Sequence, residues 1–195
     1  MKILLLYAHP VAGSFASAVR DCAVQALRDA GHEVDLCDLY AEGFDAVLSS
    51  EARSLYKEFP ENSAGVAEHV TRLRAAEGVV LVFPTWWYGM PAILKGYFDR
   101  VWVPGVAFEF GPGAIRPLLG HIRVFGAVTT YGSPWWFMLL YMGNPSRKVL
   151  MRGLSRLLPA SAKRFWLPLY GMESASAGKR EQFLQKVRAR LSSLD

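Results

Sequence analysis

Three short stretches of this chain carry side chains able to act on a ligand. The first, Ala8-His9-Pro10-Val11-Ala12-Gly13-Ser14-Phe15, places an imidazole and a hydroxyl ahead of a run with helical periodicity. A helix start presents unpaired N–H groups and the positive end of a dipole, so an anion such as a phosphate is the natural occupant. The plainer readings are a helix cap for Ser14 and a satisfied loop residue for His9. The second stretch, Pro84-Thr85-Trp86-Trp87-Tyr88-Gly89, sets consecutive aromatics in a loop, which suits a flat ligand. Packing under the next helix is the alternative for Trp86 and Trp87. The third, Thr129-Thr130-Tyr131-Gly132-Ser133, follows an apolar run and offers hydroxyl donors, or else ordinary strand-end residues.

What is missing narrows the chemistry. There is no GxGxxG and no GxxxxGK[ST], so neither the dinucleotide fingerprint nor the P-loop is present. A phosphoacceptor domain needs an acidic residue after its first strand, and here that strand ends in Tyr7-Ala8-His9-Pro10. A thiol phosphatase needs a cysteine in the first loop, and there is none. Cys22 and Cys37 form no CxxC, and no His/Cys cluster has zinc spacing. The expectation is two free, buried thiols and no metal.

The elements that must hold these stretches are legible from hydrophobic pattern. Lys2 to Tyr7 is a continuous apolar run, the mark of a strand buried on both faces. Phe15 to Ala30 is helical, with Ser14 as cap and Gly31 as terminator. His32 to Leu36 is a second strand. A helix around Ala52 to Phe59, a turn at Pro60-Glu61-Asn62 and a helix over Ala64 to Ala76 follow. Val79 to Phe83 is the strongest strand, and a helix opens at Pro91 and runs to about Val101. Ile122 to Val128 is a fourth strand and Arg164 to Tyr170 a fifth. Between them Trp135 to Leu158 is apolar and helical, interrupted near Gly143-Asn144-Pro145. Ala175 to Leu191 is an amphipathic helix.

Alternating strands and helices imply an α/β fold with right-handed crossovers. Five strands suit a doubly wound parallel sheet of order 2-1-3-4-5, with helices on both faces and the ligand at the carboxyl ends of the first and third strands. The whole of 1–195 reads as one such unit, with no repeat or linker. Composition agrees: 52% hydrophobic, 20% charged and a net charge of +5 describe a globular chain with a full core. Much of the positive excess follows Arg116. It reads as a solvated face, as steering for an anionic nucleotide, or as a nucleic-acid or anionic-membrane surface, the last without any accompanying motif. The first apolar run is too short to cross a membrane and lacks a signal-peptide pattern, so the expected location is the cytoplasm.

The stretch from Phe83 to Val101 closely resembles the signature of the NAD(P)H:quinone oxidoreductase family, a flavodoxin-like group. The resemblance rests on Pro84, the aromatic pair before Gly89, the Pro91-Ala92-Ile93-Leu94-Lys95-Gly96 run and the Phe98-Asp99-Arg100-Val101 close. His9 with Ser14-Phe15, and the Thr129-Thr130 pair, fit the same family. The likeness covers roughly the first two-thirds of the chain and loosens after Gly132. It implies that His9, Ser14 and Phe15 hold a flavin phosphate and ribityl chain. It implies that Pro84, Thr85, Trp86, Trp87 and Tyr88 wrap the flavin edge carrying N5, and that Thr129, Thr130, Tyr131 and Gly132 face the pyrimidine edge. The implied activity is ping-pong hydride transfer from NADH or NADPH, through FMN or alternatively FAD, to a quinone-like acceptor, with no catalytic side chain required. The shortness of the chain favours FMN.

The resemblance also implies a homodimer with the site at its interface. Relatives include azo- or nitroreductases and ancillary regulatory subunits of potassium-efflux membrane systems, so those roles, with a membrane-protein partner, are the alternatives. The family pattern breaks in one place. The Tyr and His that the best-known quinone reductases carry after the Thr-Thr segment have no match in Ser133 to Gly143, which is unusually apolar and holds no His. That segment reads as a lid, a dimer contact, a wall for a lipophilic acceptor, or ordinary buried helix.

Overall fold

The structure, a computed structural model, describes residues 1–194. In chain order its elements are β1 (Lys2–Tyr7), α1 (Phe15–Asp29), β2 (Glu33–Asp38), α2 (Ser50–Ser54), α3 (Ala67–Ala75), β3 (Gly78–Pro84), α4 (Ala92–Val101), β4 (Phe108–Phe110), β5 (Ile115–Pro117), β6 (Val124–Tyr131), α5 (Pro145–Lys148), β7 (Lys163–Tyr170) and α6 (Ala177–Ser192). Five strands form one parallel sheet in the order β2-β1-β3-β6-β7. This is the expected order once the small β4-β5 hairpin is set aside.

The apolar runs explain the sheet. Every residue of β3 is buried, and so is all of β1 after Lys2. Alternate residues of β1 enter different clusters, as a period of two requires. Leu4 and Leu6 pack with Val70 and Leu73 of α3 and Leu94, Tyr97 and Phe98 of α4. Ile3, Leu5 and Tyr7 pack with Val19, Ala23 and Leu27 of α1 and Phe183, Val187 and Leu191 of α6. Gly96 has a specific reason: a Cβ there would stand 2.2 Å from the Ala46 carbonyl oxygen, so only glycine lets the loop after β2 lie on α4.

Several expectations need correction. The helix expected over Ala52 to Phe59 is only the five residues of α2, and a 3-10 stretch at Glu61–Val66 leads into α3. The β4-β5 hairpin was not foreseen, although Phe108-Glu109-Phe110 before Gly111-Pro112-Gly113 is a short strand meeting a turn. The region 135–158 is not one interrupted helix. It is a π-helical turn at Phe137–Tyr141, then α5, a second π-helical turn at Val149–Gly153 and a 3-10 turn at Leu154–Leu157. β6 starts at Val124 and runs through Tyr131, so Thr129, Thr130 and Tyr131 end the strand and are not loop. Among the described residues no helix is long and apolar enough to cross a membrane.

Candidate active site

The carboxyl ends of β1, β3 and β6 lie side by side, because β1 pairs with β3 and β3 with β6 in register (Tyr7 with Val82, Pro84 with Thr130). The three stretches singled out by their chemistry therefore meet at one edge of the sheet.

After β1, Ser14 caps α1 by accepting from Ser17 N–H at 3.2 Å. The Phe15 and Ala16 N–H groups, first in the helix, have no acceptor among the described residues. Val11 N–H lies 3.1 Å and Val11 O 3.3 Å from His9 Nδ1, and Ser14 Oγ is 3.1 Å from the same nitrogen. The imidazole thus ties the loop closed. The Phe15 ring turns away, against Phe183 and beneath the Arg180 guanidinium. Its contribution at this edge is its backbone N–H. A hollow of about 310 Å³ runs from His9, Val11 and Ala12 to Arg20, Asp38 and Tyr40.

After β3 the chain makes a tight reversal. Trp86 N–H donates to Gly89 O at 3.1 Å and Gly89 N–H to Trp86 O at 2.9 Å. The two central residues, Trp87 and Tyr88, sit at φ of 48° and 63°. That is the turn geometry for which Asn-Gly is the favoured sequence. Aromatic residues held in the left-handed region cost on the order of 1–3 kcal/mol each, and such strain gathers at ligand sites. Trp87 is 95% exposed, so burial does not offset the cost. The Trp87 and Tyr88 N–H groups donate to nothing among the described residues.

The end of β6 is the opposite case. Thr129 is buried, and its hydroxyl meets that of Thr85 at 3.0 Å. Thr85 N–H donates to Thr130 O at 2.7 Å. Tyr131 is buried, stacks on Tyr170 at 4.9 Å and donates its hydroxyl to Asn144 Oδ1 at 2.9 Å. Asn144 also reaches the Tyr170 hydroxyl from Nδ2 at 3.4 Å, and caps α5 from a left-handed φ of 49°. Burial raises the Tyr131 and Tyr170 pKa values above that of a free phenol.

Between these two sides lies a cavity of about 210 Å³ lined by Thr85, Trp87, Tyr88, Tyr131, Gly132, Ser133 and Met138. Ring contacts tie its rim together: His9 to Trp86 at 6.0 Å, and Tyr88 to Phe137 at 6.0 Å. Of the twelve residues put forward from sequence, Thr85, Trp87, Tyr88, Tyr131 and Gly132 line this cavity. His9 and Ser14 stand at the adjoining phosphate-type loop, Trp86 leans on His9, and Thr130 is partly exposed beside Thr85. Pro84 and Thr129 are buried supports. The sequence reading missed Asn144, Tyr170 and Met138. The Gly143-Asn144-Pro145 break and the end of the fifth strand were the signals for the first two.

The donor set suits a flavin. Free N–H groups at the start of α1 match a phosphate, free N–H groups on the strained turn match ring acceptors, and flat apolar walls match an aromatic tricycle. Both cysteines are free, with Cys37 buried and Cys22 only half-buried, a correction for the latter. Folding also brings Cys37, Glu42 and His69 together from positions whose spacing announced nothing.

Comparison with known proteins points the same way. A family model described as flavodoxin-like fold matches residues 1–193. NAD(P)H dehydrogenase [quinone] 1 of Rattus norvegicus is 34% identical over 149 residues, 68% of this chain and 54% of that protein. The chain spans about half the length of the first curated relatives it matches. Among solved structures, the NAD(P)H:quinone oxidoreductase of Methanothermobacter marburgensis superposes with a TM-score of 0.85 at 28% identity, covering 100% of this chain and 99% of that one. Smu.1420 from Streptococcus mutans UA159 has the same TM-score at 30% identity, with full coverage of both chains.

Proposed function

The chain belongs to the flavodoxin-like NAD(P)H:quinone oxidoreductase family, and from that premise we propose that it is a flavin-dependent NAD(P)H oxidoreductase acting on quinones or similarly flat acceptors. The observation that carries the reading is the Trp86–Gly89 turn. Two aromatic residues are held left-handed, their N–H groups are free, and they border an apolar cavity. A stretch of chain that only linked two elements would relax this strain.

The proposed roles follow the geometry. Ser14, the Phe15 and Ala16 N–H groups and the His9 imidazole hold the phosphate. The Trp87 and Tyr88 N–H groups face the ring edge bearing N5, with Pro84, Thr85 and Trp86 behind them. Thr130 and Gly132 face the pyrimidine edge, while Thr129 and Tyr131 stiffen that wall. Bound FMN supplies the hydride chemistry. The protein orients nicotinamide and acceptor in turn against the aromatic walls. FAD is the alternative, favoured by the hollow that continues from the phosphate loop toward Arg20 and Asp38.

Residues 1–195 act as one unit with helices wound on both faces of the sheet, which the separate α1/α6 and α3/α4 clusters support. The cavity is small for a flavin together with a second ring. A second copy of the chain completing it would also cover Trp87, Trp135, Trp136, Leu140 and Tyr141, all exposed.

The test is a visible spectrum of the purified protein under anaerobic conditions. Flavin bands are expected that bleach with NADH or NADPH and return with benzoquinone, and chromatography of the released cofactor separates FMN from FAD. A protein that binds neither flavin overturns the reading.

A further inference from the structure

A second constellation lies on the other side of β1, away from the aromatic turn. Cys37 is fully buried near the end of β2, His69 projects from α3, and Glu42 stands in the loop after β2. The Cys37 sulfur is 3.4 Å from Glu42 Oε2 and 3.7 Å from His69 Nδ1, and all three atoms fall within 4.8 Å of one another. In a tetrahedral zinc site, with zinc–sulfur near ~2.3 Å and zinc–nitrogen or –oxygen near ~2.0 Å, neighbouring ligand atoms stand about 3.5 Å apart. The two sulfur separations bracket that value. We propose that Cys37, Glu42 and His69 form a binding site for a thiophilic divalent cation of the zinc class, with a water in the fourth position.

The surroundings are built as the outer shell of such a site is built. Arg72 donates from Nη1 to both oxygens of Glu42, at 2.9 and 2.8 Å. Its Nε and Nη2 grip Asp35 at 2.7 to 3.1 Å, and Nη2 also donates to the Leu36 carbonyl. Glu42 is therefore fixed in place facing the sulfur, the role that outer partners play for metal ligands. The charges also balance. With a neutral thiol, Asp35, Glu42 and Arg72 sum to about −1. When the cation displaces the thiol proton, a thiolate and a dipositive ion replace a neutral group and the sum becomes about zero. Glu68 and Arg100 also act on His69, with opposite signs. Binding forms a metal–sulfur bond, breaks the S–H bond and sends one proton to solvent, with no redox change.

The cation would clamp the loop after β2. His69 is packed edge-on against Phe44 in that loop, at 4.9 Å, and against Tyr97 of α4, at 5.8 Å. The Tyr97 hydroxyl is buried with no hydrogen-bond partner among the described residues, an unmet polar atom beside the proposed ligands. The hydrogen-bonded thiol alone is the competing account, and the experiment separates the two.

The purified protein is stripped with EDTA, then titrated with Zn²⁺ against a chromophoric chelator in weak buffer. The expected result is one tightly bound ion per chain, one proton released, a higher thermal midpoint in the loaded form, and a zinc-edge X-ray absorption spectrum with one sulfur ligand. Cys37→Ser and His69→Gln should each weaken binding at least ~100-fold, and Asp35→Asn, which frees Arg72 behind Glu42, about 10-fold. Far-UV circular dichroism of the stripped variants reports folding. If Cys37→Ser fails to fold, His69→Gln and the wild-type absorption spectrum decide. No bound zinc, a spectrum without sulfur, or affinity unchanged in His69→Gln overturns the proposal.

Discussion

The Trp86–Gly89 turn and the Tyr131–Asn144–Tyr170 group reach the same cavity, through Trp87 and Tyr88 on one side and Tyr131 on the other, yet they are held on opposite terms. The turn is exposed, its central residues are left-handed without being glycine, and its central N–H groups are unsatisfied within the chain. Across the cavity, both tyrosine hydroxyls meet one buried asparagine and the rings stack. Under the proposed function, one wall would lose stability to stay open for a ligand, and the other would supply the rigidity against which that ligand is positioned. The division is what a binding site needs, since first contacts are useful only if their support does not move.

The largest expected effect comes from breaking the rigid wall. Asn144→Ala would leave two tyrosine hydroxyls short of a partner and put alanine in a left-handed conformation. The expected loss is about 2–4 kcal/mol, read from urea unfolding. Asn144→Gly tolerates the backbone and loses only the side chain, so it should fall between alanine and wild type. A cost below ~0.5 kcal/mol for Asn144→Ala would mean that this wall does not depend on the asparagine.

The open wall should respond in the other direction. Trp87→Asn combined with Tyr88→Gly installs the pair this turn geometry prefers. Stability is expected to rise by about 1–3 kcal/mol as strain is removed, while flavin affinity falls at least ~10-fold because the aromatic cover is gone. Equilibrium unfolding and flavin titration on the same preparation check both signs. If stability and affinity fall together, the turn is ordinary packing and the contrast with the Asn144 side is lost.

The sequence shows the two walls unequally, for a physical reason. Continuous apolar runs report strands buried on both faces, so β1, β3 and the sheet order could be read directly. The aromatic turn could also be read, because three consecutive ring residues beside Pro84 have few other uses. Its left-handed backbone could not, since nothing in Trp87-Tyr88 suggests a turn that normally takes Asn-Gly. Asn144 was visible only as an interruption, because a capping side chain looks the same in sequence whether it also serves two distant tyrosines or none. The Cys37, Glu42 and His69 cluster joins residues up to 32 positions apart through β2 and α3. Spacing rules for metal ligands describe local loops and do not see such a group.

The smallest expected effect tests whether the rigid wall is closed to solvent. Burial raises the pKa of Tyr131 above that of a free phenol, as it does for Tyr7, Tyr97 and Tyr170. A raised folded-state value means that the folded chain keeps its proton after the unfolded chain has lost it. The stabilisation is then complete below the unfolded value, near pH ~10, and declines as pH rises toward the folded value. Tyr131→Phe should cost about 1 kcal/mol at pH 7, the net worth of its hydrogen bond to Asn144. Above pH ~10 the wild type should lose about 1.4 kcal/mol per pH unit for this residue, and the variant should be spared that loss. The two stability curves should therefore converge by about pH 11 when followed by denaturant unfolding. Curves that stay parallel would mean that Tyr131 ionises as freely in the folded chain as in the unfolded one, and that this wall is as open to water as the turn opposite it.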